Sequence, residues 1–239
     1  GYVNYGAVLQ SYALQKVLDK LGVPNLIVDY VPEHFRGINM GLPIDYMKRE
    51  GNGALWRWFC NCVPIYRVDK KFKSFIKKHC RTTEKTYTKD NFNELNFATY
   101  VFGSDTIWSI WESKGFDDAF WANHACMQEA RCVAYSPSFA DVKFTGEEEK
   151  TLINRLQNFA AIGVREPTYL DFIRQHTNVN VEWTLDPTLL LDEKDYEVVI
   201  AEPRNQGRYL LLYTRSRDEN IVVFADRIAK ERDLKVVEI

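Results

Sequence analysis

The chain has 239 residues, of which 46% are hydrophobic, 14% aromatic and 27% charged, a composition typical of a globular protein with a sizeable core. This length fits either one large domain or one domain with part of a second. The formal net charge of -2 gives no electrostatic footprint for nucleic acid, and no stretch is apolar and long enough to predict a transmembrane segment.

The first predicted element is an amphipathic helix within GYVNYGAVLQSYALQKVLDKLG. Leu14, Val17, Leu18 and Leu21 recur at helical spacing, so this stripe is predicted to face the core, and Gly22 is predicted to close the helix. A glycine-bearing turn that opens a helix usually follows a β-strand. We therefore expect a leading strand that the given sequence lacks.

The next segments are a strand, an irregular region and a basic helix. The run LIVDY, residues 26–30, predicts a buried strand. Residues 33–65 contain scattered Gly, Pro and aromatic residues and are predicted to form an irregular excursion with short helices. Residues 68–80 predict a helix whose lysines form a solvated face.

From residue 98 onward, predicted strands alternate with predicted helices. The strands are predicted at 98–105, 130–138, 159–166, 179–187, 209–214 and 234–239. The helices are predicted near 145–158, opened by a capping box of Thr145 and Glu148, and at 167–176 and 219–232. This alternation predicts an α/β fold with a Rossmann-like, doubly wound parallel sheet.

The same pattern predicts two unequal domains. Residues 1–190 would form an N-terminal lobe without its first strand, and residues 191–207 a polar linker. Residues 208–239 would be the truncated beginning of a second Rossmann-like lobe, because a lone β-α-β unit cannot bury its faces.

Polar residues follow several of the predicted strands. Ligands of open α/β sheets bind beyond the carboxyl ends of the strands, so these residues are the candidates for a binding site. Exposed backbone amides together with an arginine indicate a site for a small anionic ligand, without specifying a reaction. The candidates are Asn4, Tyr5, Gly6, Gly103, Ser104, Asp105, Ser136, Arg165 and Glu166.

Each candidate also has a purely structural interpretation. Taken alone, Asn4 fits a helix N-cap better than a binding residue, and Gly6 fits a small residue at a tight packing position better. Residues 103–105 fit a plain turn, and Arg165 with Glu166 fits an ion pair at a strand end. The Asp186-Pro187 pair is typical of a turn.

The histidines and cysteines do not predict a catalytic or metal site. The four histidines (His34, His79, His124 and His176) fall away from the predicted strand ends, so none is predicted to be a general acid or base. The five cysteines (Cys60, Cys62, Cys80, Cys126 and Cys132) lack the spacing of a zinc site. They are predicted to be buried or half-buried thiols in a reducing cytoplasm.

Five segments in order resemble the polysaccharide pyruvyl transferase family: NYGAVLQSYALQKVLDKLG, VFGSDTIW, AYSPSFAD, GVREPTYLDFI and TLDPTLLLD. They extend over almost the whole chain. The sequence departs from the family pattern at Thr106, where Gln is common, and at Pro137, where a small residue is usual. These departures concern substrate contacts.

The resemblance implies a two-lobed fold like that of GT-B glycosyltransferases, with the site in the cleft between the lobes. It implies transfer of a pyruvyl group from phosphoenolpyruvate to two hydroxyls of one sugar, giving a ketal in exopolysaccharide biosynthesis. Phosphoenolpyruvate would be a co-substrate and no cofactor is expected. The acceptor would be a saccharide, free or lipid-linked, at a cytoplasmic location that includes the inner face of the membrane.

The resemblance also implies roles for residues. Arg165 lies in the V-R-E segment and would hold the phosphoenolpyruvate anion, Asp105 would order a sugar hydroxyl, and Trp108 would stack on a sugar face unless it is a core residue. The family's Ser-Phe-His-Gly segment, with its acid–base histidine, is absent here, so the catalytic acid and base stay unknown and this chain alone is expected to be inactive.

Two other functions fit the same features. A nucleotide-sugar-dependent GT-B glycosyltransferase would share the strand ends and bind its nucleotide on the second lobe. A non-catalytic carbohydrate-binding protein could keep the fold without the reaction.

Overall fold

The computed structural model describes residues 4–37, 54–202, 205–214 and 218–238, and only the backbone of residues 54–65. Clustering of contacts divides the chain into two compact units, Gly1–Tyr196 and Glu197–Ile239. The domain boundaries at residues 190 and 208 stay predictions.

The first unit is built on a parallel sheet of four strands in the order β1-β2-β3-β4. The strands are β1 (Thr99–Phe102), β2 (Arg131–Tyr135), β3 (Ala161–Val164) and β4 (Asn180–Trp183). In the register of the sheet, Val101 pairs with Val133, Val133 with Ala161, and Ala161 with Asn180. This confirms the α/β class with a parallel sheet, in agreement with a Rossmann-like arrangement.

Helices connect and flank these strands. They are α1 (Tyr5–Lys20), α2 (Ala54–His79), α3 (Glu147–Leu156), α4 (Leu170–His176) and α5 (Glu193–Tyr196). Helix α3 connects β2 to β3, and α4 connects β3 to β4, as parallel neighbours require. Short 3-10 turns at Pro167–Tyr169 and Pro187–Leu189 follow the ends of β3 and β4.

An aromatic core packs against the sheet. The rings of Trp108 and Trp121 stack with centroids 4.7 Å apart, and both side chains are fully buried. Phe139 and Phe159 complete the contacts of Trp108, whose Nε1 donates to the carbonyl of Phe120. Stacking of Trp108 on a sugar is therefore wrong, because both faces of the indole are covered by the core.

The orientation predicted for α1 is wrong in part. Its buried residues are Gln10, Tyr12, Ala13 and Gln15, whereas Leu21 is 70% exposed. Leu14 and Leu18, from the predicted stripe, are half-buried and line a cavity instead of meeting a filled core. Gly22 closes the helix as predicted, with a positive φ of 71°.

The segment after α1 is extended but is not the predicted buried strand. With the described residues it forms isolated parallel bridges, Ile27 with Thr82 and Tyr30 with Tyr87. Leu26 is 49% exposed. The physical reason is that one side of this segment borders the same cavity, so only its other side is paired.

Helix α2 is longer than the predicted basic helix and begins at Ala54. The prediction of an irregular segment is wrong for residues 54–65, since the helical backbone continues through Pro64. Within residues 33–37 the expected short helix is present as a 3-10 turn at Glu33–Phe35, and residues 38–53 lie outside the described residues.

The described cysteine side chains agree with the predicted thiols. Cys132 is buried, and Cys80 and Cys126 are half-buried and unbridged. The side chains of Cys60 and Cys62 lie outside the described residues.

The second unit contains one β-α-β element. Strands β5 (Tyr209–Leu212) and β6 (Lys235–Glu238) pair in parallel, and α6 (Glu219–Glu231) connects them. Asp218 caps α6 by accepting from the backbone N–H of Asn220. Leu211, Tyr213, Val223 and Phe224 are more than half exposed.

In the described part of the chain, no helix combines the length and the apolar character that crossing a membrane requires.

Candidate functional site

Gly103 lets the end of β1 approach the end of β2. Its φ is +134°, and a Cβ added there would lie 1.9 Å from the carbonyl oxygen of Tyr135. The peptide bond from Gly103 to Ser104 is cis. Any side chain at position 103 would therefore collide with the backbone of the neighbouring strand.

Ser104 is a buried junction between helix α1 and two strand ends. Its backbone N–H donates to Oε1 of Gln10 at 2.7 Å, and its hydroxyl donates to the carbonyl of Ser136 at 2.7 Å. The same hydroxyl lies 3.4 Å from Oδ2 of Asp186. These contacts place the N-terminal half of α1 at the carboxyl edge of the sheet.

Ser136 lies at the end of β2 with a positive φ of 57° and is fully buried. Its backbone N–H donates to the carbonyl of Gly163 in β3. Its hydroxyl oxygen is buried without a hydrogen-bond partner among the described residues. Such an orphaned polar atom is costly unless a further group satisfies it.

Arg165 extends from the end of β3 between two carboxylates. Nε donates to Oε1 of Glu166 at 3.1 Å, and Nη1 donates to Oδ2 of Asp186 at 3.2 Å. A guanidinium has five N–H donors, and the described residues provide no partner for the other three. The side chain is 27% exposed.

Glu166 is only partly satisfied by its arginine neighbour. Oε1 accepts from Arg165, whereas Oε2 is buried and has no partner within the described ranges. The strand end thus carries a second orphaned oxygen, one strand away from the hydroxyl of Ser136.

Asp186 connects these groups. Burial opposes ionisation of its carboxyl, but hydrogen bonds from the N–H and hydroxyl of Thr188, and then from Arg165, outweigh burial and lower its pKa. Burial, and then the negative charge of Asp186, raises the pKa of Tyr135. Asp186 is therefore ionised at neutral pH and holds Arg165 in place.

The structure brings together four of the predicted site residues through Asp186. We define the strand-end cluster as Ser104, Ser136, Arg165, Glu166 and Asp186. Gly103 supports it by allowing the close approach of β1 to β2. The carboxylates of the cluster outnumber its cation, so a strongly anionic ligand needs further positive charge.

The other predicted site residues have structural roles in the described contacts. Oδ1 of Asn4 accepts from the N–H groups of Gly6 and Ala7, which is an N-cap, and the ring of Tyr5 packs on Phe72. The carbonyl of Asp105 accepts from the N–H of Ser138, and its carboxylate accepts from the N–H of Thr106, as in a turn. None of these contacts reaches the strand-end cluster.

Sequence reasoning missed Gln10 and Thr188, and it noted Asp186 at a strand end but left it out of the candidate site because Asp-Pro is more often a turn. Gln10 directly follows the apolar run Ala7–Leu9 in α1, and it is 7% exposed. A buried glutamine in a helix needs a hydrogen-bond partner. In the sequence, the one sign of this is a glutamine directly after an apolar run. Its partner, Ser104, lies 94 residues away and is not evident from local pattern.

Within the described side chains, no group of three or more His, Cys, Asp or Glu residues is arranged to hold a metal ion.

The fold and the strand-end cluster define an α/β protein with a polar site at the carboxyl edge of a parallel sheet. The family model described as polysaccharide pyruvyl transferase matches residues 4–239. The chain therefore belongs to the polysaccharide pyruvyl transferase family, and its family activity is that of a transferase acting on a saccharide. Searches of curated proteins and of solved structures give no match.

Gly103→Ala is expected to destabilise the protein far more than Gly115→Ala. Both glycines are half-buried with similar φ values, +134° and +122°, but a Cβ at position 115 meets nothing within 4 Å. Backbone strain alone costs about 1–3 kcal/mol, and the collision with Tyr135 adds to it at position 103 only. Chemical denaturation of both variants measures the free energy of unfolding that each has lost. Equal losses of unfolding free energy would contradict the close approach of β1 and β2.

Asp186→Asn is expected to destabilise the protein by about 1–3 kcal/mol at pH 7, because Arg165 loses its charged partner. A lowered pKa contributes stability above the ordinary value of about 3.9 and loses it as pH falls through the folded value. The difference in free energy of unfolding between the wild type and this variant should therefore decrease below about pH 4.

The free energy of unfolding at pH 7, 4 and 3 tests this dependence. Asp171→Asn is the control, since that carboxylate is 90% exposed and should change stability by less than about 0.5 kcal/mol. If the difference in free energy of unfolding between the wild type and Asp186→Asn stays constant with pH, the carboxylate charge does not stabilise the fold.

Proposed function

We propose that the protein transfers a pyruvyl group from phosphoenolpyruvate to two hydroxyls of one sugar, and that the strand-end cluster belongs to the donor site. Family membership supports the transferase class. The observation that supports the donor site is Arg165, which two carboxylates hold at the strand end with three N–H donors open. An arginine with parallel N–H groups suits a carboxylate or a phosphate.

The reaction sets definite demands on the site. Protonation of the methylene carbon of phosphoenolpyruvate gives a methyl group and an oxocarbenium-like centre, which the first sugar hydroxyl attacks. Loss of phosphate produces a second such centre, and the second hydroxyl captures it to close the ketal. The two hydroxyl protons balance the one taken up by carbon and the one leaving with phosphate, so the site must move protons as well as hold an anion.

The orphaned oxygens of the cluster fit these demands. The hydroxyl of Ser136 can donate to an oxygen of the donor, and Oε2 of Glu166 can exchange a proton with it. Each would gain the hydrogen bond that it lacks in the described structure. The acid or base that serves the acceptor hydroxyls is not assigned to a residue of this chain.

Further positive charge would have to come from outside the cluster. In a GT-B-like arrangement, a second lobe faces the carboxyl edge of the first, and we propose that this lobe supplies it. An acceptor that is a polysaccharide precursor, free or lipid-linked, at the cytoplasmic side of the membrane is part of the same proposal.

Arg165→Met is expected to weaken phosphoenolpyruvate binding by about tenfold or more, as the loss of a charge-assisted hydrogen bond predicts. Arg36→Met is the matched control, because Arg36 also lies between two carboxylates, Asp90 and Glu33, but on the surface far along the chain from the cluster. Thermal shift of the complete natural protein with phosphoenolpyruvate gives the affinities. Equal affinity of Arg165→Met and the wild type would reject Arg165 as an anion-binding residue.

A competition separates the donor classes. In the complete natural protein, phosphoenolpyruvate should stabilise the fold and a nucleotide sugar should not. Stabilisation by the nucleotide sugar alone would favour a glycosyltransferase, and binding without phosphate release in the presence of saccharide acceptors would favour a carbohydrate-binding protein.

A further inference from the structure

Helix α2 has a strongly basic face on a protein that is slightly acidic as a whole. Between Tyr66 and His79 the helix contains six Lys or Arg residues and a single carboxylate, that of Asp69, whereas the chain has a formal net charge of -2. All six cationic side chains are exposed. We define them as the basic face: Arg67, Lys70, Lys71, Lys73, Lys77 and Lys78.

The helical period places these cations on one side of α2. At 3.6 residues per turn they lie within an arc of about 160° and extend over about 17 Å of the helix. The opposite side is apolar and fixed to α1. The ring of Phe72 packs on Tyr5 with centroids 4.9 Å apart, and that of Phe75 on Tyr12 at 5.9 Å. Because Phe72 is buried, the basic face is turned away from the core.

The charges of the basic face repel one another. Lys73 lies three residues after Lys70 and four before Lys77, and like charges at these spacings destabilise a helix. Within the described part of the chain, Lys73 is the one member with a carboxylate partner, Asp69 at 2.7 Å. A merely solvated surface needs no such concentration of one sign of charge. Local repulsion that the fold tolerates therefore indicates a partner of opposite charge.

The shape of the basic face favours a planar partner. The cations project from the outer surface of a single helix, so a plane can approach all of them at once, whereas a polymer strand crosses such a surface along a line. Tyr66 lies within the same arc and is 63% exposed. A tyrosine beside lysines suits the headgroup level of a lipid bilayer, where its ring and its hydroxyl both find favourable surroundings.

We propose that the basic face docks the protein on a bilayer of anionic phospholipids. The attraction is electrostatic, and the helix does not insert, because its apolar side is already occupied by α1. Each Lys or Arg near an anionic membrane surface strengthens binding by about fivefold.

Docking would place the carboxyl edge of the sheet beside the membrane. Phe72 packs on Tyr5, which begins α1, and Gln10 of the same helix contacts Ser104 at that edge. A lipid-linked acceptor could then reach the strand-end cluster along the bilayer. This last step rests on the function proposed above, whereas the docking itself does not.

Vesicle flotation of the complete natural protein tests the docking with no phosphoenolpyruvate or acceptor present. Vesicles of about one-quarter phosphatidylglycerol in phosphatidylcholine should bind the protein at least about tenfold more tightly than vesicles of phosphatidylcholine alone. Because the charges are exposed to solvent, the affinity should fall steeply as the salt concentration rises toward about 1 M. Equal binding to both kinds of vesicle would overturn the inference.

Lys70→Gln combined with Lys77→Gln removes two charges from the middle of the basic face and keeps good helix formers. This double variant should bind the anionic vesicles about tenfold or more weakly than the wild type, and Lys70→Arg combined with Lys77→Arg should bind them as the wild type does. Because the glutamines relieve the repulsion with Lys73, the Tm should not fall. A lower Tm would show that these lysines stabilise the fold, and it would remove the argument for a partner.

Lys143→Gln combined with Lys150→Gln is the matched control, since both lysines are exposed and lie outside α2. Charges away from the docking surface are screened, so this variant should change the affinity for anionic vesicles by less than about twofold. A loss as large as that of the α2 variant would attribute binding to net charge and reject the basic face as the docking surface.

Two more measurements separate this docking from other functions. If Lys70→Gln with Lys77→Gln weakens binding of alginate, an anionic polysaccharide, and leaves vesicle binding unchanged, the partner is a polymer and the inference is wrong. Arg165→Met should bind anionic vesicles as the wild type does. Failure of the proposed donor site is therefore distinguishable from failure of the docking.

Discussion

The buried backbone and hydroxyl of Ser104 join three parts of the first unit that are far apart in sequence. The N–H is held by Gln10 of α1, and the hydroxyl by the carbonyl that ends β2, within reach of Asp186 after β4. Because these groups are buried, leaving one of them without its hydrogen-bond partner would lower the free energy of unfolding by about 1–3 kcal/mol. The positions of α1 and of Asp186 relative to the sheet, and through Asp186 that of Arg165, depend on this junction.

The sequence was sufficient to predict which residues follow the strands, because parallel strands with helical connections place their carboxyl ends along one edge. Ser104, Ser136, Arg165 and Glu166 were predicted in this way, and the structure connects them. Both interpretations of Arg165 have support. It forms the ion pair expected of a structural residue, and three of its N–H donors have no partner among the described residues, as the proposed binding role requires. For Asn4 and Asp105 the described contacts fit the structural interpretation.

Other features could not be predicted because they depend on distant contacts. The partner of Gln10 lies in another element, and helical spacing alone cannot say which side of α1 meets the sheet. The stripe of Leu14 and Leu18 was a correct sign of an apolar surface, but in the described structure that surface borders a cavity. The start of α2 was missed because Pro64 and the glycines before it indicate loops in most sequences, whereas here the helix passes through the proline.

Trp183 gives the strand-end cluster an optical signal. Its indole is 64% exposed, and its Nε1 donates to the backbone carbonyl of Arg165 at 2.9 Å. Trp108 and Trp121, by contrast, are stacked inside the core and shielded from solvent. Emission from a solvated indole and from buried ones differs in wavelength. The red side of the intrinsic fluorescence therefore combines emission from Trp111, which is 59% exposed, with emission from an indole hydrogen-bonded to the arginine's own peptide group.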